Sequence, residues 1–325
     1  MGCPVRCVFC AQDIQTGSSH CEVGLEARLQ KTEAILADRE ARGLPPPELA
    51  FYGGTFTALP EDSLEHCLTF AVQERDAGRI TGFRCSTRPD CLENGNLQRL
   101  LRAGCNTVEL GIQSFNHAAL VCSGRGYGRE VALSACQQVR EAGMALGVQL
   151  LPGMPGTDPS IFLSDVCTAL QMRAHLLRFY PCLVLEGTLL ARWWREGRYQ
   201  PWDLELTIEE LAKGWLLARE AAVPVIRMGL AFESSLTEAV LAGPWHPSLG
   251  SRVKAKALLL AVRRVCREEN MSLAELEVPR TCQGYFWGHQ SELRSAWSAL
   301  GIRPHNLRYI DATEVRLFPR TGLLP

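Results

Sequence analysis

Apolar positions recur in two alternating rhythms along the first two-thirds of the chain. Leu25, Leu29, Ile35 and Leu36 keep helical spacing up to Arg42. Pro45-Pro46-Pro47 ends that helix. Residues 48–52 then read as a buried strand running into Gly53-Gly54. A helix follows over 60–77, with Pro60 in its first turn, and a strand over 80–86. The pattern repeats: helix 97–103 stopped by Gly104, strand 107–112, helix 129–142 before Gly143. Strand 146–151, helix 161–172 and strand 176–180 complete it, and residues 223–228 make one more candidate strand.

Strands alternating with helices through short connections predict parallel βαβ units. Polar or glycine-rich segments follow the strands: Gly53-Gly54, residues 86–90, Gln113-Ser114 and residues 152–156. In a parallel barrel these are the C-terminal strand ends, where active sites are built. An open doubly wound sheet fits the alternation nearly as well. After Gly229 the rhythm changes. Residues 251–269 read as a basic helix, and residues 277–325 as irregular. The expected organisation is a core over 1–229 and a C-terminal extension over 230–325.

Composition fits a folded domain: 325 residues, 46% apolar, 21% charged, net charge −1. No apolar run reaches the roughly 18 residues of a membrane span, and the start carries no signal-peptide core. A cytoplasmic protein is expected. The near-zero charge gives no global mark of nucleic-acid binding. Fourteen cysteines are many. Spread over a chain this long, most read as reduced, buried small residues.

The exception is the start, Cys3-Pro-Val-Arg-Cys7-Val-Phe-Cys10. Thiolates are the ligands of iron–sulfur clusters. Three cysteines in so short a loop can hold a [4Fe–4S] cubane and leave its fourth iron without a protein ligand, open to a cofactor. The competing reading is structural zinc, which wants four protein ligands; His20 and Cys21 are candidates for the fourth.

The order of motifs resembles a known family. The triplet, Phe51-Tyr-Gly-Gly-Thr-Phe56, Ser86-Thr-Arg-Pro-Asp90, Glu109-Leu-Gly-Ile-Gln-Ser114, Ser123-Gly-Arg-Gly126 and Gln149-Leu-Leu-Pro-Gly-Met-Pro-Gly156 look like radical S-adenosylmethionine (SAM) enzymes of the Elongator catalytic-subunit type. Arg178-Phe-Tyr-Pro181 continues the match, and Gly243-Pro-Trp-His-Pro247 extends it weakly. Oxygen-independent coproporphyrinogen oxidases and haem chaperones share parts of the pattern. The resemblance implies an α/β fold, a partial (β/α)6 TIM-like barrel with a small α-rich C-terminal extension. It implies a [4Fe–4S] cluster on Cys3, Cys7 and Cys10, and reductive cleavage of SAM to a 5′-deoxyadenosyl radical. For SAM it implies Phe9 under the adenine, Gly53 and Gly54 at the amino group, and Gln113 and Gln149 at the ribose. Arg125 would pair with the carboxylate, and Gly153 would let the adenine approach. Tyr52, Arg88, Asp90 and Arg178 read as pocket residues without an assigned role. The implied electron donor is a flavodoxin or ferredoxin; the substrate is unknown, with RNA or a small metabolite expected.

Two departures stand out. The family carries a strand ahead of the cluster loop, whereas only Met1 and Gly2 precede Cys3 here; a true start upstream is the expectation. No acetyltransferase-type pyrophosphate loop follows residue 230, so acetyl transfer is not expected. A haem-binding chaperone is the alternative function, with His246, His289 and Cys282 as conceivable ligands. Arg252, Lys254, Lys256, Arg263, Arg264 and Arg267 on the late helix suggest either an RNA-binding face or a solvated one.

Overall fold

The computed structural model describes residues 3–11, 24–92, 95–230 and 234–320. Helix α1 (Leu25–Ala41) leads into strand β1 (Glu48–Phe51). Then come α2 (Glu61–Asp76), β2 (Gly82–Thr87), α3 (Asn96–Arg102) and β3 (Cys105–Gln113). Two helices, α4 (His117–Cys122) and α5 (Arg129–Glu141), separate β3 from β4 (Ala145–Leu150). Helix α6 (Pro159–Gln171) and β5 (Leu176–Phe179) follow. A short strand β6 (Val184–Leu185), α7 (Leu189–Arg195) and α8 (Leu204–Glu220) precede β7 (Val225–Met228).

Six strands form one sheet in the order β1-β2-β3-β4-β5-β7, every neighbouring pair parallel. Neighbours follow chain order throughout, so the partial-barrel expectation holds and the doubly wound alternative falls. Side chains alternate along each strand. One face, carrying Phe83, Val108, Leu110, Leu146, Val148 and Phe179, packs under the helices in a single large core. Each such side chain contributes about 1.5–3 kcal/mol on burial.

The other face is polar. Arg84, Glu109, Gln149 and Arg178 sit on it, with Gln149 and Arg178 in direct register. Gly147 is in register with Glu109. A Cβ there would lie 2.8 Å from Glu109 Cγ and from Leu176 Cδ1. Glycine at 147 therefore makes room for the carboxylate that lies over it.

Three helices before residue 230 escaped the periodicity: α4, α7 and α8. Asp203 is the signal that would have found α8, since its side chain accepts the Leu206 N–H at 2.7 Å as an N-cap. The sixth strand, β7, is where the apolar run at 223–228 placed it.

The extension opens with α9 (Ser234–Ala239) and β8 (Val240–Ala242), which pairs antiparallel with β6. Helix α10 (Leu249–Glu268) comes next. The stretch read as irregular contains β9 (Leu273–Pro279), α11 (Arg294–Ala299), β10 (Leu307–Ile310) and β11 (Arg316–Pro319). These strands form a three-stranded sheet, β10-β9-β11, over a second core around Trp297 and Phe286, whose rings stack at 4.3 Å. The sheet hides from sequence because its outer strands are four residues long.

Helix α10 joins the two cores. Leu249, Val253 and Ala257 enter the barrel core, while Leu259, Val262 and Cys266 enter the second. Half of its cations are spent on ion pairs. Arg252 meets Glu205 at 2.6 Å, Lys256 meets Glu209 at 2.8 Å, and Arg264 meets Glu220 at 2.8 Å. The partners ascend together, so α8 and α10 run in the same direction.

Candidate cluster and cofactor site

The three cysteines lie on a loop fastened at the C-terminal end of the sheet. Val8 N–H donates to Ser123 O at 3.1 Å, and Leu190 N–H donates to Val8 O at 2.8 Å. Cys10 N–H donates to Cys7 O at 3.1 Å. The loop is thus pinned between the turn after α4 and the start of α7.

Donors converge on two of the sulfurs. Thr55 Oγ1 donates to Cys3 Sγ at 3.0 Å. Arg125 Nη1 reaches Cys7 Sγ at 3.2 Å, with Arg88 Nη1 at 3.7 Å. Burial pushes the Cys10 thiol up to about 11, helped by Cys7 and Cys3, against a lowering contribution from Arg125. The three thiols are therefore close enough to sense one another. Among the described residues no three His, Cys, Asp or Glu side chains are arranged to hold a single metal ion. A cubane asks for something else, because each thiolate binds its own iron at a different corner. Three thiols on one pinned loop, with cationic and hydroxyl donors aimed at sulfur, fit such a cluster. His20 and Cys21, the candidates for a fourth zinc ligand, lie outside the described residues.

The remaining site residues surround this loop. Gly53 and Gly54 follow β1 with φ of 110° and 137°, values that favour glycine. The next residue is the Thr55 that touches Cys3. Gln113 ends β3 with φ 71°, and Gln149 Nε2 donates to Gln113 Oε1 at 3.2 Å. Gly153 has φ 81°, faces the Trp202 indole, and accepts a 2.6 Å hydrogen bond from Tyr199 OH. Phe9 packs with Tyr180, Met154 and Tyr199 in one apolar cluster. Arg125 is buried between Cys7, Tyr127 and the Gly111 carbonyl.

Four residues with no role in the sequence reading acquire contacts. Arg88 grips Asp90 with two hydrogen bonds, at 2.9 and 2.8 Å, and presents its remaining nitrogen to Cys7. Tyr52 OH donates to Glu109 Oε1 at 2.7 Å, and Arg178 lies over the Tyr52 ring at 4.7 Å. Arg178 Nε is 2.6 Å from Glu109 Oε2. Its N–H is poorly aligned for a hydrogen bond, so we read the contact as an ion pair. Arg84 bridges Glu109 at 3.4 Å to Glu48. Burial, then the bond to Glu109, pushes the Tyr52 phenol up to about 12, so it stays a neutral donor. Glu109 and Tyr127 were missed; only the fold brings Glu109 against residues 57 and 69 positions away. His246 and His289, two of the haem-ligand candidates, meet edge to face at 4.8 Å. The third, Cys282, is buried in the second core.

Comparison with known proteins decides the family. The model of the Radical SAM superfamily matches residues 1–163, half of the chain. The chain belongs to the radical SAM superfamily. A Radical SAM C-terminal domain matches residues 174–258. A tRNA uridine(34) acetyltransferase of Methanocaldococcus infernus is 30% identical over 56% of this chain and 38% of its own length. Elongator complex protein 3 of Schizosaccharomyces pombe is 26% identical over 56% of this chain and 39% of its own. The chain thus spans about two-fifths of the length of these relatives. The solved archaeal Elp3 of M. infernus superposes with a TM-score of 0.57 at 23% identity, covering 74% of this chain and 59% of that one. At that identity the likeness speaks for the fold. As a radical SAM enzyme, the protein uses a [4Fe–4S] cluster and SAM. When bound, the cluster supplies the electron that breaks a sulfonium C–S bond of SAM and yields the 5′-deoxyadenosyl radical; the protein's part is positioning and electrostatics. No described helix is long and apolar enough to cross a membrane.

Proposed function

We propose that Cys3, Cys7 and Cys10 carry the cluster and that SAM lies against Gly53, Gly54, Gln113, Gln149 and Gly153, with Phe9 beside the adenine. Residues 1–229 form the radical-generating core and residues 230–325 the extension. The observation that carries this reading is the pinned cysteine loop with donors aimed at its sulfurs. The polar sheet face is the substrate's place. There Glu109 holds Tyr52 and Arg178 in fixed poses, and binding groups held in advance lose less entropy when substrate arrives.

A low-potential donor such as a flavodoxin or ferredoxin supplies the electron, in the cytoplasm. RNA is the first substrate class to test, on the strength of the relatives' names. On α10 only Lys254, Arg263 and Arg267 keep cations clear of the α8 ion pairs.

The test is anaerobic. Protein reconstituted with iron and sulfide receives SAM and dithionite, and 5′-deoxyadenosine is measured by mass spectrometry. Formation by the parent chain and none by Cys7→Ala supports the reading. Cleavage retained in all three single cysteine variants sinks it. The same mixture with bulk tRNA, digested to nucleosides, tests RNA as substrate: a mass change dependent on SAM is expected, and unchanged nucleosides refute it.

A further inference from the structure

Arg125 is 4% exposed, and its guanidinium cannot shed its proton. Such a buried charge needs a counter-charge, since burying an unpaired ion costs several kcal/mol. None is present in the usual form: among the described residues no carboxylate lies within ion-pair distance of Arg125. Its nitrogens are nevertheless taken. Nε donates to Tyr127 OH at 3.0 Å, Nη2 donates to the same hydroxyl at 2.6 Å and to the Gly111 carbonyl, and Nη1 points at Cys7 Sγ at 3.2 Å. Gly111 is neutral. Tyr127 is neutral too, its phenol pushed up to about 12 by burial. The one contact able to carry negative charge is the Cys7 sulfur. Arg88 differs: it approaches the same sulfur at 3.7 Å but already holds Asp90 as its counter-ion.

We propose that Arg125 is the cluster-facing cation of this site, which raises the cluster's reduction potential through Cys7, rather than the clamp for the SAM carboxylate. The inference rests on the cysteine assignment proposed above. A cubane with three thiolates becomes more negative when it gains its electron. A fixed positive charge on one thiolate stabilises that reduced state, and hydrogen bonds to the sulfurs and net charge are the levers that set such potentials. The low dielectric around a buried pair strengthens the effect. A two-pronged carboxylate clamp uses two parallel N–H groups, and the Arg125 fork is already divided among a carbonyl, a phenol and a thiol. Asp90 is the opposing element. It cancels Arg88, so one of the two guanidinium charges at Cys7 is left to act.

The experiment uses the full chain, reconstituted, without SAM, in a redox titration followed by electron paramagnetic resonance. Iron and sulfide content and SAM affinity are measured on the same samples. Arg125→Gln is expected to load its cluster and to move the midpoint negative by at least a tenfold change in the oxidised-to-reduced equilibrium, about 59 mV for one electron. Arg125→Lys, which keeps the charge, recovers most of that shift. Asp90→Asn moves the midpoint the other way, because it releases Arg88. An unchanged midpoint in Arg125→Gln with SAM binding weakened tenfold or more overturns the proposal and restores the carboxylate role. Should Arg125→Gln fail to load, Asp90→Asn decides: a positive shift supports the proposal, and no shift or a negative one overturns it. Failure of the parent chain to load iron refutes the cysteine assignment instead, before any variant is compared.

Discussion

The mouth of the barrel and its joint with the extension each bury an arginine, and they compensate it in different ways. Arg252, on α10, is 7% exposed and lies between two carboxylates, Glu205 at 2.6 Å and Glu292. Arg125, at the mouth, is as deeply buried and has none among the described residues. The first charge is balanced by the chain itself and ties α8, α10 and the loop at 292 together. The second is balanced only if something else arrives. A buried charge that the chain neutralises argues for architecture. One that it leaves open, beside groups able to hold a cofactor, argues for chemistry.

The largest effect expected from breaking the mouth is loss of function without loss of fold. Cys7→Ala should load no catalytically competent cluster and form no 5′-deoxyadenosine, while the cluster-free protein keeps its urea midpoint. The reason is position: the cysteine loop sits at one end of the sheet, and the core under the helices does not depend on it. A collapsed midpoint would mean that Cys7 serves packing.

How much of this was visible beforehand follows from the range of the forces involved. Strand alternation from β1 to β5 is a local signal, so the parallel sheet could be read from residues 48–180. The cysteine spacing is also local, and so are the glycines whose φ values the turns require. The Glu109 network is not. Tyr52, Arg84 and Arg178 reach that carboxylate only because the sheet sets β2 beside β3 and puts β1 and β5 one strand further out on either side. Arg88 looked like any pocket arginine until folding set it against Cys7. The extension's sheet escaped because strands this short carry too few alternations to stand out. In α10 the basic residues suggested either a binding face or a solvated one; packing against α8 pairs half of them internally, which composition alone does not reveal.

Breaking the joint should do the reverse of breaking the mouth. Arg252→Ala leaves Glu292 facing Glu205 with no cation between them. Loss of one partner from a buried pair costs about 3–5 kcal/mol. Because Glu205 is largely exposed, we expect the lower end, about 3 kcal/mol, read as a lower urea midpoint. Cluster content and the SAM-free redox midpoint should stay as in the parent. A redox shift equal to that of Arg125→Gln would erase the distinction between the two regions.

Asp165 sharpens the comparison from the other sign. It is a buried carboxylate without an ion-pair partner among the described residues, accepting from Ser114 Oγ at 2.6 Å and Phe115 N–H at 2.7 Å. Burial pushes it up to about 6, against those two hydrogen bonds and Arg129. A carboxyl can escape burial by taking a proton, which a guanidinium cannot answer by losing one. Because the folded state holds the proton more tightly than the unfolded chain, this group's contribution is complete below about pH 4 and is lost as pH rises through about 6. The loss is about 2–3 kcal/mol. Asp165→Asn keeps an acceptor for Phe115 and a donor for Ser114, so it should flatten that part of the profile. Urea midpoints at pH 4.5 and 6.5 check it: the parent-minus-variant difference must change between them, and a constant difference refutes the assignment.

The smallest effect should come from the mouth itself, in the cluster-free protein. Arg125→Met replaces an unbalanced buried cation with an apolar chain of similar length. Gly111 O still accepts from Tyr127 OH at 3.1 Å, so no carbonyl is orphaned. Stability should change by less than about 1 kcal/mol, or rise, as it does when a costly buried charge gives way to packing. After reconstitution the same variant should lose its advantage, because the parent then gains the attraction between Arg125 and the cluster thiolate. Comparing the two urea midpoints with and without cluster isolates that coupling as a double difference. If Arg125→Met is as damaging in the cluster-free chain as Arg252→Ala, Arg125 is architectural, and the two buried arginines are alike after all.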